Sequence, residues 1–150
     1  STFFVNAQLV EQMYNEHMSQ EEAVKYWISS AEEDWSVAQS LLKSDKYNHA
    51  LFFLQLALEK LIKAVHVSQK DESPLYIHNL VLLVQKAGIE FSEDELADLK
   101  EISSFNVSAR YDSYKRDFYK KATHEFAVEW MKRGENLKIK LINLLKKYGH

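Results

Sequence analysis

The sequence predicts an all-α fold, an antiparallel up-and-down bundle of four to five helices, from three observations. Pro74 is the only proline and Gly88, Gly134 and Gly149 the only glycines in 150 residues, so helix breakers are nearly absent. Apolar residues recur at three- and four-residue intervals along most of the chain, the spacing of one helix face. No alternating apolar and polar run is long enough for a strand.

Each element has its own signals. Residues 1–18 read as an N-terminal extension, in which Val5, Leu9, Val10, Met13 and Tyr14 have the spacing of a short amphipathic helix, and residues 19–150 read as the bundle domain. Ser19 and Glu22 form a capping box that opens the first main helix. Val24, Trp27, Ile28, Ala31, Trp35, Ala38, Leu41 and Leu42 then make one apolar stripe ending near Lys43. After a polar break at 44–46, the stretch from Tyr47 to about Ser68 is apolar on more than one face, as expected of the central helix of a bundle. Glu59, Lys60 and Lys63 interrupt it and require either a polar edge facing water or partners. Pro74 leads into a third helix carrying Ile77, Leu80, Val81, Leu83, Val84 and Ala87, with Gly88 at its left-handed C-terminal position. Ser92 and Glu95 start a short fourth helix with Leu96, Leu99 and Ile102, predicted to fade near Ser104. The last helix runs from about Thr123 to Tyr148, with Ala127, Trp130, Met131, Leu137, Leu141 and Leu144 in register.

Composition narrows the function. The absence of cysteine removes disulfide frameworks, thiolate metal sites and a cysteine nucleophile, and is compatible with a reducing, cytoplasmic address. No apolar run reaches the length of a membrane span, and no export signal is apparent. Charge is unevenly spread: residues 1–104 hold 8 Lys/Arg against 17 Asp/Glu, a net of −9, whereas residues 105–150 hold 11 against 5, a net of +6. Either helices of opposite sign pair across their exposed faces, or the C-terminal third offers a basic surface to phosphate. No serine-nucleophile motif, phosphate loop or His-Glu metal spacing occurs, so neither a cofactor nor a metal is predicted. Glu32, Glu33 and Asp34 are expected on a solvent face, and His124 at a helix start.

The richest segment is Arg110–Lys121, RYDSYKRDFYKK, expected to form a loop between the fourth and fifth helices. Arg110, Lys115 and Arg116 supply charge for phosphate, and Tyr111 and Tyr114 supply flat faces on which a base can stack. Alternatively, its aromatic residues anchor the loop to the bundle. His78, at the start of an apolar helix, can cap backbone or face a groove. The candidate binding residues are therefore Arg110, Tyr111, His78, Tyr114, Lys115 and Arg116.

Four pieces in fixed order resemble the HEPN domain family. Trp27, Ala31, Asp34 and Ala38 are similar to the family's opening helix. Residues 51–65, LFFLQLALEKLIKAV, resemble its signature helix through Phe53, Gln55, Ala57, Glu59, Lys60 and Lys63. His78, Leu80 and Leu83 resemble its His-x-Leu helix start, and Ala109, Arg110 and Tyr111 its Ala-Arg-Tyr element. The resemblance implies a bundle of four to five helices, a homodimer, a small nucleotidyltransferase as partner and, in some members, metal-free RNA cleavage of a toxin–antitoxin kind. It also adds Lys63 to the candidate ligand-binding residues. Catalytic members place a histidine after an arginine with four to six residues between them. Here Arg110 is followed at those positions by Lys115, Arg116 and Asp117, Arg116 by Lys121, Ala122 and Thr123, and Arg133 by Lys138, Ile139 and Lys140. None is an imidazole able to move a proton near neutral pH. The expectation is thus a dimeric module that binds a nucleotide, an RNA or a nucleotidyltransferase without cutting, with no catalytic residue assigned. The alternatives are a ribonuclease using His78 or His124, and a purely structural dimerisation domain.

Overall fold

The computed structural model describes residues 18–150, which form six helices and no strand. Helix α1 (Gln20–Lys43) starts where the Ser19 hydroxyl accepts the Glu22 N–H at 3.1 Å. It buries Ala23, Val24, Trp27, Ala31 and Ala38, most of them small residues that let the next helix approach closely. Three residues later α2 (Tyr47–Lys70) returns alongside it, and Gln20 Nε2 donates to Val67 O and Ser68 O at its far end. This satisfies carbonyls that a helix C-terminus leaves unpaired. Helix α2 packs against every other helix, which explains its apolar character all round.

Helix α3 (Leu80–Ala87) is capped by Asn79, whose Oδ1 accepts the Leu82 N–H, and ends at Gly88 with φ +72°. It begins later than its apolar pattern predicts: Ile77 and His78 lie ahead of it, because Asn79 is extended and takes the cap. Helix α4 (Glu93–Arg110) opens with a complete capping box between Ser92 and Glu95. It does not fade at Ser104. The run Ser103–Ser108 contains poor helix formers, but Phe105 and Asn106 are 1% exposed, and their burial holds the helix together. A single extended residue, Tyr111 (φ −95°, ψ 126°), separates α4 from α5 (Asp112–Lys121), so the segment expected as a loop is a helix. Phe118 pins it down by stacking on Phe105 at 5.4 Å between ring centroids. Helix α6 (His124–Lys147) begins where the Thr123 hydroxyl, rather than His124, caps its first turn.

The four long helices alternate in direction. The starts of α2 and α6 meet at Tyr47 and His124 and their ends at Gln69 and Tyr148, so these two run together. The first and fourth oppose them: Gln20 sits at the end of α2, and Glu95 and Asp98 of α4 pair with Lys140 and Arg133 of α6. Helices α3 and α5 are short insertions in this up-and-down bundle. At Gly134 a Cβ would lie 2.5 Å from Leu54 Cδ1, which shows how tightly α6 is seated on α2. The amphipathic helix expected around Val5–Tyr14 falls outside the described residues.

Candidate functional site

Along one side of α2, the charges that interrupt its apolar pattern do not face water. Side chains of Glu59 and Lys63 are 4% and 1% exposed and form a salt bridge, Nζ to Oε2, at 3.1 Å. The expected polar edge is therefore an internal ion pair. Removing two charges from water is costly and requires further hydrogen bonds, which the neighbours supply. His78 Nδ1 lies 2.7 Å from Glu59 Oε1, and Gln55 Nε2 donates to the same oxygen at 3.3 Å. Lys63 Nζ stands 5.2 Å from the centre of the Trp27 ring and 5.8 Å from that of Tyr76, within range of cation–π attraction. Burial alone would raise the Glu59 pKa, but the hydrogen bond from His78 and the charge of Lys63 outweigh it and hold the carboxyl below its ordinary value. An ionised carboxylate only accepts, so His78 Nδ1 carries the proton in this contact.

The network continues to α4. Gln55 Nε2 also donates to His78 O at 2.9 Å, and Gln55 Oε1 accepts from Asn106 Nδ2 at 2.9 Å. Ser103 Oγ takes the Leu80 N–H at 3.1 Å. The start of α3 is thereby fixed to α2 and α4 together. A second ion pair, Lys60 Nζ to Asp34 Oδ2 at 2.6 Å, joins α2 to α1, with Lys60 also donating to Ser30 Oγ at 2.7 Å. Asp34 is thus buried rather than on the expected solvent face. Its pKa is raised by burial, which Lys60 only partly offsets.

Between α3 and α4 lies an open groove of about 630 Å³. His78 and Arg110 both line it, together with Lys100, Asn106 and an apolar wall that includes Val81, Leu82 and Val107. Arg110 Nε donates to Asn106 O at 3.2 Å, and its guanidinium lies 5.2 Å from the Tyr111 ring centre. Of the residues singled out from sequence, His78 and Arg110 are therefore brought together. Tyr111, 51% exposed, lies beside Arg110 but does not line the groove. Tyr114 borders a separate small hollow of about 130 Å³ between α4 and α5. Lys115 and Arg116 are exposed on α5, Lys115 pairing with Asp112 at 3.5 Å. Lys63 is enclosed in the core, one contact removed from His78 through Glu59. His124 pairs with Tyr47 OH at 3.2 Å and does not line the groove. Asn106, Lys100 and Ser103 also line it and carry no signal in the sequence, where a single Asn and a Ser in a serine-rich stretch look ordinary. Among the described residues no cluster of side chains is arranged to hold a metal ion, and no helix is long and apolar enough to cross a membrane.

No curated protein matches the chain. Among solved structures, the crystal structure of TT1696 from Thermus thermophilus is similar in fold, with a TM-score of 0.69 at 18% identity over 81% of this chain and 97% of that one. The family model described as HEPN domain matches residues 24–143, a span that takes in most of α1 through most of α6 and both walls of the groove. On that match the chain belongs to the HEPN domain family.

Proposed function

We propose that this chain is a non-cleaving, nucleotide-binding HEPN module whose ligand lies in the groove between α3 and α4. One observation carries the reading: His78 and Arg110, 32 residues apart in sequence, line the same groove, and its volume of about 630 Å³ is on the scale of small-molecule sites, roughly 300–1,000 Å³. Val81, Leu82 and Val107 offer an apolar surface to a base, while Arg110 and Lys100 offer donors to phosphate. Tyr111, Tyr114, Lys115 and Arg116 extend the surface beyond the groove, so a nucleotide unit of a single RNA strand is accommodated as well as a free nucleotide. Lys63 acts at one remove, by holding Glu59 and through it His78. In this proposal the module works in the cytoplasm as a homodimer and serves a nucleotidyltransferase partner.

The test is titration with AMP and with a short single-stranded RNA, comparing the wild type with Arg110→Ala. Loss of a charge-assisted hydrogen bond of about 1.5–3 kcal/mol weakens binding roughly 10- to 100-fold. RNA affinity also falls steeply with added salt. Undetectable binding of both, or binding indifferent to Arg110, refutes the proposal.

A second reading has its own support. A buried carboxylate against one nitrogen of an imidazole, beside an arginine, is an arrangement suited to general acid–base work. On this reading His78 moves the proton in RNA cleavage. Cleavage by the wild type that disappears in His78→Ala and Arg110→Ala favours it; cleavage unchanged or absent in all three ends it.

A further inference from the structure

We infer that Asn106 makes the groove selective for a nucleobase bearing an exocyclic amine, such as adenine; this rests on the groove being a nucleotide site. The starting point is the direction of the hydrogen bonds. Glu59 Oε1 and the His78 carbonyl can only accept, so the side-chain nitrogen of Gln55 faces both of them. Gln55 therefore turns its oxygen toward Asn106, and Asn106 answers with its nitrogen at 2.9 Å. The amide orientation of Asn106, which by itself could be either way round, is thus set by a buried carboxylate two residues removed in the network. What remains is Asn106 Oδ1, a buried acceptor with no partner, on a residue 1% exposed that lines the groove.

A buried acceptor without a donor is an unfavourable feature that a correctly shaped ligand relieves. Three of the nearby side-chain donors are already engaged. Asn106 Nδ2 serves Gln55, Ser103 Oγ donates to His78 O at 3.4 Å, and Ser104 Oγ donates to Glu101 O at 2.5 Å. At Oδ1 the groove consequently asks for a hydrogen-bond donor. Oδ1 is also recessed beyond the reach of solvent, so a donor reaches it only by displacing what covers it. An exocyclic amine suits a recessed acceptor because it projects from the ring, whereas ribose hydroxyls stay with the sugar near the phosphate. Seating the base against Val81, Leu82 and Val107 leaves the phosphate for Arg110 at the end of α4.

The experiment compares AMP with purine riboside 5′-monophosphate, which lacks only the 6-amino group, by calorimetry on the wild type and on Asn106→Ala. Wild type is expected to bind AMP at least tenfold more tightly, and Asn106→Ala to bring the ratio to about one while keeping measurable binding. A short oligoadenylate, paired with its amine-less counterpart, runs as a second arm: discrimination there alone identifies an RNA unit as the ligand, and discrimination in the AMP arm identifies the free nucleotide. Should Asn106→Ala lose its helical circular dichroism, the wild-type ratios decide. Equal affinity for the amine-bearing and amine-less ligands in both arms, with binding still lost in Arg110→Ala, overturns this inference and leaves the groove standing. No binding in either arm overturns both.

Discussion

Replacing Glu59 by Gln tests the buried network where its energetics are steepest. Gln keeps the shape and one acceptor oxygen but removes the charge that Lys63 answers from a site only 1% exposed. Breaking a buried ion pair from one side costs about 3–5 kcal/mol, because the remaining charge stays in the core uncompensated. The Trp27 and Tyr76 rings near Lys63 Nζ return some of this, on the order of 0.5–2 kcal/mol each for cation–π contacts. The expected loss is therefore about 3 kcal/mol, a large part of the ~5–15 kcal/mol that stabilises a domain of ordinary size. Urea unfolding measures it, as a lower midpoint at an unchanged slope. The partner variant is Lys63→Met, and the double variant Glu59→Gln/Lys63→Met should recover most of the loss, giving a coupling energy above about 2 kcal/mol in the mutant cycle. The pH dependence has a definite sign. The folded-state pKa of Glu59 lies below the ordinary 4.5, so its contribution is fully present above that value and is lost as pH falls through the lowered one. Glu59→Gln should flatten that acid limb. A single-variant loss under about 1 kcal/mol, or no recovery in the double variant, would show that the ion pair does not support the core.

Three further outcomes follow from other parts of the molecule. Phe118, 4% exposed and stacked on Phe105, holds α5 to the bundle, so Phe118→Ala should cost about 3 kcal/mol or more and strip hydrogen-exchange protection from residues 112–121 before the other helices. Gly134→Ala gains about 1 kcal/mol of helix propensity but forces a methyl against fully buried Leu54, and overpacking of ~1–3 kcal/mol should prevail, read as a lowered melting temperature. His66, 4% exposed and hydrogen-bonded to Glu72 at 3.0 Å, has its pKa lowered by burial, which the carboxylate opposes only in part. Its neutral form suits the fold, so stability is present above the ordinary 6.5 and falls as pH drops through the lowered value; His66→Leu should remove that component from a pH series of urea midpoints.

Much of the bundle is legible in the sequence because its signals are local. Caps at Ser19 and Ser92, the left-handed Gly88 and the stripes of α1 and α6 each involve residues within a turn or two of one another. The end of α4 and the whole of α5 are not legible, for the converse reason. Ser103, Ser104, Asn106, Val107 and Ser108 are weak helix formers, and what holds them is Phe105 packed among Phe118, Phe126 and Trp130, residues up to 25 positions away. The site divides in the same way. Arg110 and His78 stand out by residue type, whereas Asn106 acquires its meaning only from a chain of hydrogen bonds that begins at Glu59. Lys63 stands out too, but its position does not: a lysine in an apolar helix reads as a route to solvent until a carboxylate four residues earlier is seen turned inward with it.

The geometry also explains why four short sequence pieces, each weak alone, point to one family when taken in order. They meet in space around α2. Lys60 and Lys63 tie the signature helix to the opening one through Asp34 and the Trp27 ring. Glu59 and Gln55 tie it to the His-x-Leu start through the ring nitrogen and carbonyl of His78. Gln55 then reaches the Ala-Arg-Tyr element through Asn106, whose carbonyl receives Arg110 Nε. The recognisable residues are therefore largely those that fix the angle between α2, α3 and α4, and with it the width of the groove, rather than those that meet a ligand first. Arg110 is fixed to this framework from one end of α4, while the tyrosines and cations of α5 stand outside it and touch few of its members. Substitution within the framework should change stability and groove shape together. On the proposed function, substitution on the exposed face of α5 should change binding of a longer strand with little effect on folding.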